Sequence, residues 1–394
     1  VVAASMVDGK VAINLPVRGG QRQWLLGTPL KTPSLAVLDL PDPSVAPPPH
    51  ALVVKYGDYP LDMVKDWVLQ WPNQAADTHP RLFLRPADLA AFKADAKVDP
   101  AEARRWVDGP PFTRYQMDGP IREFLLGGDA KLGKKLTASA RETLDGCVRQ
   151  YLVQNGRLPM PGVAPHMQTA INGAMNALDA VLDSPFVNEQ DRQRLLARVA
   201  FLGYVVNSPD YWSPPRGFRA NPNMTTTVAC YQTIIACMIP SHPMAAAWAK
   251  SGLTELKDRE LNGWSDADGG WLEAPHYAIV SLDHILGSLL AARNSGFGDF
   301  VYDDRVRQVG HWLGKISTPR DSRTKGWRHL PPIGNTYHGE PTGIYAVLAS
   351  LWADKDPEFA SHMQWFYEEH GSWPDSGIGG FNPTMAGYRQ LLRR

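Results

Sequence analysis

Cysteine is scarce in this chain of 394 residues, with only Cys147, Cys230 and Cys237 present. Three thiols make no even disulfide framework, and two helical turns separate Cys230 from Cys237, roughly 10 Å along an axis and too far to bridge. All three read as small buried core residues. A charge excess is also lacking, because 40 basic side chains balance 40 acidic ones. That removes bulk attraction to nucleic acid or to an anionic membrane, so any anionic partner must be read by local clusters. No run of eighteen or so apolar residues occurs, which excludes an ordinary membrane span. The opening Val1 to Met6 has neither a basic nor an apolar leader segment, so no signal peptide is read there, and a start at Val1 suggests processing or trimming.

What is present is 44% hydrophobic and 20% charged, the composition of an ordinary folded enzyme. The length exceeds the usual single core and predicts two domains or one large repetitive one. Short β-prone segments at 10–15, 24–26, 35–38 and 52–56 are punctuated by Gly and Pro. The stretch from Pro41 to Pro49 reads as a stiff linker. Residues 1–75 are therefore expected to form a small β-containing extension with its Pro-rich linker, and 76–394 a catalytic domain.

From His79 onward the pattern is helical. Apolar residues recur with helical spacing between Gln168 and Asp183, and similar segments follow at about 189–207, 225–239, 244–262, 277–294, 305–317, 342–353 and 357–370. No sequence signature repeats at a solenoid period. Helix after helix still requires each to bury a face on its neighbours, so a ring of helical hairpins is expected.

Three clusters interrupt these helices with chemistry-bearing groups. Residues 262–277 place Trp271, Glu273, His276 and Tyr277 after a Gly-rich reversal at Asp268-Gly269, on the kind of loop that carries sites. Residues 211–223 interleave Arg216 and Arg219 with aromatics and end on Asn221 and Asn223, either a site for an anionic sugar or a solvated loop with Asn223 or Thr225 as helix N-cap. Residues 315–338 carry Arg320, Arg323, Lys325, Arg328, His329, Tyr337 and His338 with Asp321 as the only acid, which suggests a polyanion contact.

The phrase His79-Pro80-Arg81-Leu82-Phe83-Leu84 followed by Asp88-Leu89, the segment Asp268 to Tyr277, and the turn Pro331-Pro332-Ile333-Gly334-Asn335 together resemble motifs of the heparinase II/III-like polysaccharide lyases. The resemblance covers residues 75–370 and carries Asn where the family's turn usually has Asp. It implies a mainly α fold, an incomplete (α/α) toroid of helical hairpins, and lyase activity toward an anionic, uronic-acid-containing polysaccharide of alginate, glucuronan or glycosaminoglycan type. It implies no required cofactor, allows a structural cation, and by substrate class suggests a periplasmic or secreted protein. No His/Cys/Asp spacing specifies a metal site. Oligomeric state is not read from the sequence.

In such lyases an Asn or His precedes the catalytic tyrosine by a little over fifty residues. Asn223 lies 54 before Tyr277 and Asn221 lies 56 before it. The resemblance therefore gives Asn223 the neutralisation of the C6 carboxylate, helped by Arg216 or Arg219, and Tyr277 the proton transfer. A free phenol titrates near 10, so protonating the departing O4 is easier for it than removing the C5 proton. If proton removal and delivery fall on opposite faces of the sugar, a histidine serves as base, with His338 ahead of His276 and His329; otherwise none does. Many relatives carry a β-sandwich domain after the helices, whereas this sequence stops at Arg394, soon after its last expected helix. Trp271 is expected to stack on substrate and Glu273 to form a salt bridge or position the sugar. Arg328, His329, Tyr337 and His276 complete the expected binding groups.

Three other activities fit the same residues. A uronate C5-epimerase shares the proton abstraction. A glycoside hydrolase on a helical barrel would pair Asp266 or Asp268 with Glu273. A non-catalytic polysaccharide-binding protein would keep the aromatics and arginines.

Overall fold

A computed structural model describes residues 67–95, 99–110, 112, 118–153, 165–207 and 222–372, with the backbone of five strands between residues 3 and 55. The chain is mainly helical. It divides into two compact units, Val1–Asp66 with Arg149–Gly156 and Trp67–Val148 with Arg157–Arg394. In the first, β1 (Ala3–Val7), β2 (Lys10–Val17) and β3 (Gly20–Leu25) form an antiparallel sheet in chain order, and β4 (Ser34–Ala36) pairs antiparallel with β5 (Val53–Lys55). The divide between these units falls before Trp67. Residues just after it belong with the helices: Trp67 stacks on Tyr204 with ring centroids 4.7 Å apart, and the Trp71 indole donates to Ser241 Oγ at 2.7 Å.

The helices along the chain are α1 (Pro86–Asp95), α2 (Pro100–Asp108), α3 (Asp118–Gly127), α4 (Ala130–Val153), α5 (Pro165–Val181) and α6 (Glu189–Val206). They continue with α7 (Pro222–Met238), α8 (Ala245–Thr254), α9 (Pro275–Asn294), α10 (Asp304–Lys315), α11 (Gly343–Trp352) and α12 (Pro357–Glu369). A π-helical segment, Glu255–Leu261, prolongs α8 into a last turn at Asn262–Trp264.

Burial sorts these helices by depth. From Val228 to Ile239, α7 is buried on every side, and it packs against α5, α6, α8 and α9. A helix apolar all round belongs in the interior. The same holds for α9, where Ala278 to Ala292 are buried without a break. By contrast α10 buries Val306, Val309, Gly310, Leu313 and Gly314, the single stripe of a surface helix. At Gly314 a Cβ would come within 1.9 Å of Phe366, so only glycine lets α12 lie this close to α10. Cys147, Cys230 and Cys237 are buried free thiols, and burial pushes Cys147 and Cys237 up to about 12.

The phrase His79 to Leu84 anchors the entry to the helices. Asp179 on α5 accepts from His79 Nδ1 at 2.9 Å and from the backbone N–H groups of Arg81 and Leu82 at 2.9 and 3.0 Å. Leu82, Phe83 and Leu84 are buried beside it. Removing a buried leucine or phenylalanine side chain of this kind costs about 2–5 kcal/mol.

Candidate functional site

The interior helices α7 and α9 begin beside one another, and their first turns carry Asn223 and Tyr277. Because α7 starts at Pro222, Asn223 lies inside the first turn and is not the N-cap. Its amide Nδ2 donates to Glu273 Oε1 at 3.0 Å, and Trp271 Nε1 donates to the other oxygen at 3.3 Å. Among the described residues Glu273 makes these neutral hydrogen bonds and no salt bridge. Burial raises its carboxyl above the ordinary range, against the pull of Asn223 and Trp271. Trp271 is only 5% exposed, so its ring is packed inside and offers no open platform for a sugar.

A second carboxyl lies behind this pair. Glu260, in the π-helical segment, is buried, and its Oε2 has no hydrogen-bond partner among the described residues. Burial, then the nearby charges of Glu255 and Glu273, push it up to about 8. An isolated carboxyl in an apolar setting keeps its proton at neutral pH.

The reversal between the two helices is locally determined. Asp266 Oδ1 accepts from the N–H groups of Asp268 and Gly270 at 2.9 and 2.7 Å, while Ser265 pairs with Trp271 across the turn. Gly269 holds φ +86° and its Cα lies so close to the Gln308 carbonyl on α10 that a Cβ would sit 2.2 Å away. Arg305 also reaches the Asp266 carbonyl. Asp266 is therefore occupied in building the turn.

At the start of α9, Tyr277 is partly exposed, and its hydroxyl accepts from Asn335 Nδ2 at 2.7 Å. The turn bearing Asn335 docks on this helix end, with Thr336 Oγ1 accepting the His276 N–H at 3.2 Å. His276 is buried and its Nδ1 lies 2.9 Å from both oxygens of Glu340. A carboxylate only accepts, so Nδ1 is the donor to Glu340 and Nε2 is the nitrogen outside that contact. The His276 ring meets Tyr277 at 5.1 Å and Tyr337 at 5.3 Å, edge to face in both cases. Tyr337 itself is 63% exposed and donates its backbone N–H to Glu340.

Beyond Glu340 opens a cleft of about 640 Å³ lined by Trp327, Arg328, His329, His338 and His370 among others. His338 is exposed and meets His329 edge to face at 4.8 Å. His329 is buried, with Nδ1 on the Leu330 carbonyl and Nε2 3.5 Å from Asp321. The basic run feeding this cleft is more compensated than its sequence suggested. Arg320 and Arg328 both reach Glu369 on α12, at 3.0 and 3.1 Å, and Arg323 grips Asp321. Arg323 holds Asp321 well below the usual carboxylate range.

The structure therefore brings Asn223, Trp271 and Glu273 into one contact group, and Tyr277, His276 and Tyr337 into another. Arg328, His329 and His338 line the adjoining cleft. Arg216, Arg219 and Asn221 lie outside the described residues. Three participants escaped the sequence as site residues: Glu340, Asn335 and Glu260. Asn335 had a signal in its Pro-x-Gly turn. Glu340 and Glu260 had none, because each sits where an acidic residue ordinarily reads as solvated. Among the described residues no group of three His, Cys, Asp or Glu side chains could hold a metal ion, and no helix is long and apolar enough to cross a membrane. Comparison with protein-family models and with curated proteins finds no match for the chain.

Proposed function

We propose that this chain is a polysaccharide lyase of the heparinase II/III-like kind, cleaving a uronic-acid polymer by β-elimination. The reading takes the helical hairpins as an incomplete toroid preceded by a β-containing extension, acting on its substrate in the periplasm or outside the cell. The observation that carries it is the cluster at the starts of α7 and α9: a phenol fixed by Asn335, a histidine oriented by a buried carboxylate, and an amide held by Glu273.

Elimination requires neutralising the C6 carboxylate, removing the C5 proton and protonating the leaving O4. Neutralisation is the largest requirement, because the charge delocalised from C5 onto that carboxylate grows in the transition state. The Asn223 amide supplies a donor whose orientation Glu273 fixes, and Asn335 sits beside the Tyr277 oxygen. Tyr277 is the acid toward O4. The base is assigned to His276 ahead of His338: with Nδ1 committed to Glu340, its Nε2 is the nitrogen left to take the C5 proton. His338, exposed against His329, is assigned to substrate binding.

One observation favours hydrolysis as a second reading, namely the two desolvated carboxyls Glu260 and Glu273. Paired acids must flank the scissile bond, however, and Glu260 is only 3% exposed. Incubation with alginate, polyglucuronate, hyaluronan, chondroitin and heparan-type chains tests the proposal. A gain in ultraviolet absorbance from a conjugated double bond on at least one is expected. New reducing ends without that absorbance would move the chain to the hydrolases, and altered C5 stereochemistry without cleavage to the epimerases.

A further inference from the structure

We propose that a second cleft, between α10, α12 and the Asp268 turn, is an outer subsite for the distal acidic sugars of the same polymer, so that the chain is gripped over several units and cut internally. The polymer's chemical class is taken from the lyase reading; the subsite itself rests on the cleft.

This cleft has a volume of about 500 Å³ and is walled by Arg307, His311 and Lys315 of α10, His362 and Trp365 of α12, and Asp268. That lies within the roughly 300–1,000 Å³ of small-ligand sites. Its chemistry suits an acidic sugar. Trp365 is 46% exposed and gives the cleft a large amphipathic ring. Cationic groups stand around it. Lys315 is exposed and makes no ion pair among the described residues, whereas Arg307 is held by Asp304 and Asp356. The accumulated positive charge reaches His311, whose protonated form is disfavoured first by burial and then by His362, Lys315 and Arg307, with Asp356 opposing.

The outer cleft adjoins the candidate site along two routes. Arg328, a wall of the cleft beside Glu340, lays its guanidinium over the Trp365 ring at 5.2 Å. One side chain of each cleft thus forms the partition between them. On the other route, the turn that ends in Glu273 and Tyr277 contributes Asp268 to the outer cleft, and Gly269 presses that turn against Gln308. A polymer lying across both clefts meets Arg323, Lys325, Arg328, Arg307 and Lys315, against the carboxylates of Glu340 and Asp268. An aromatic face combined with spaced cations is a grip for a repeating anionic chain and not for a single small acid.

Competition binding tests this with size fractions of alginate, polyglucuronate and chondroitin sulfate, using the full chain and the variant Trp365→Ala/Lys315→Gln. Both positions are exposed, and a melting curve checks that the variant folds. For the wild type, affinity for at least one polymer should rise about tenfold from the shortest to the longest fraction, and the double variant should lose most of that gain, as expected when binding energy comes from remote units. A wild type with no length dependence, or a variant that keeps it in full, would overturn the outer subsite. Length-dependent binding lost in the variant, but with no unsaturated product from any polymer, would leave the subsite standing and refute the lyase.

Discussion

Tyr277→Phe deletes one oxygen and leaves the ring against His276, so it separates chemistry from packing. Turnover is expected to fall roughly a hundredfold or more while the melting temperature moves little. Near-normal turnover would hand the acid role to another group. The histidines divide in the same way. His276→Gln removes the ring nitrogen that Glu340 orients, and should lower turnover by about a hundredfold or more, whereas His338→Gln should chiefly raise KM. The reverse pattern would return the base to His338. A sequence could not decide between these two, because Glu340 lies 64 positions from His276 and only the fold joins them. Glu273 illustrates the same limit: an acid between Leu272 and Ala274 reads as a surface ion-pair partner, and among the described residues it accepts from an amide and an indole.

At the scale of elements, the helices were legible because α7 and α9 are long, apolar and bounded by Pro, Gly and Asn. Their periodicity fixes where they run, and burial on every side explains why their starts are the ends at which functional groups emerge. The π-helical segment was not legible. Glu255 to Leu261 has the composition of a solvated helix, yet Leu256, Glu260 and Leu261 of this segment are buried. This yields a pH prediction. With a folded-state pKa near 8 against an ordinary 4.5, Glu260 keeps its proton in the folded chain after the unfolded chain has lost it. Its contribution to stability is therefore complete below about pH 4.5 and declines as pH rises toward 8, by up to about 1.4 kcal/mol per pH unit. Glu260→Gln should match the wild type in melting temperature near pH 5 and exceed it near pH 8. Equal melting temperatures at both pH values would show that Glu260 is ionised and accommodated.

For the molecule as a whole, zero net charge coexists with a local basic run. Sequence showed the basic run at 315–338 but not that Glu369, far along the chain, compensates Arg320 and Arg328. Within that run Lys315 and Lys325 make no ion pair among the described residues and line the two adjoining clefts, which is why a polyanion contact there should weaken with added salt. The proposed lyase breaks bonds by elimination, with no water consumed at the cleaved linkage. Unsaturated ends and new reducing ends are counted in the same digest of a uronic-acid polymer. One unsaturated end is expected for every new reducing end, and Tyr277→Phe should suppress both together. New reducing ends without matching unsaturated ends would contradict it.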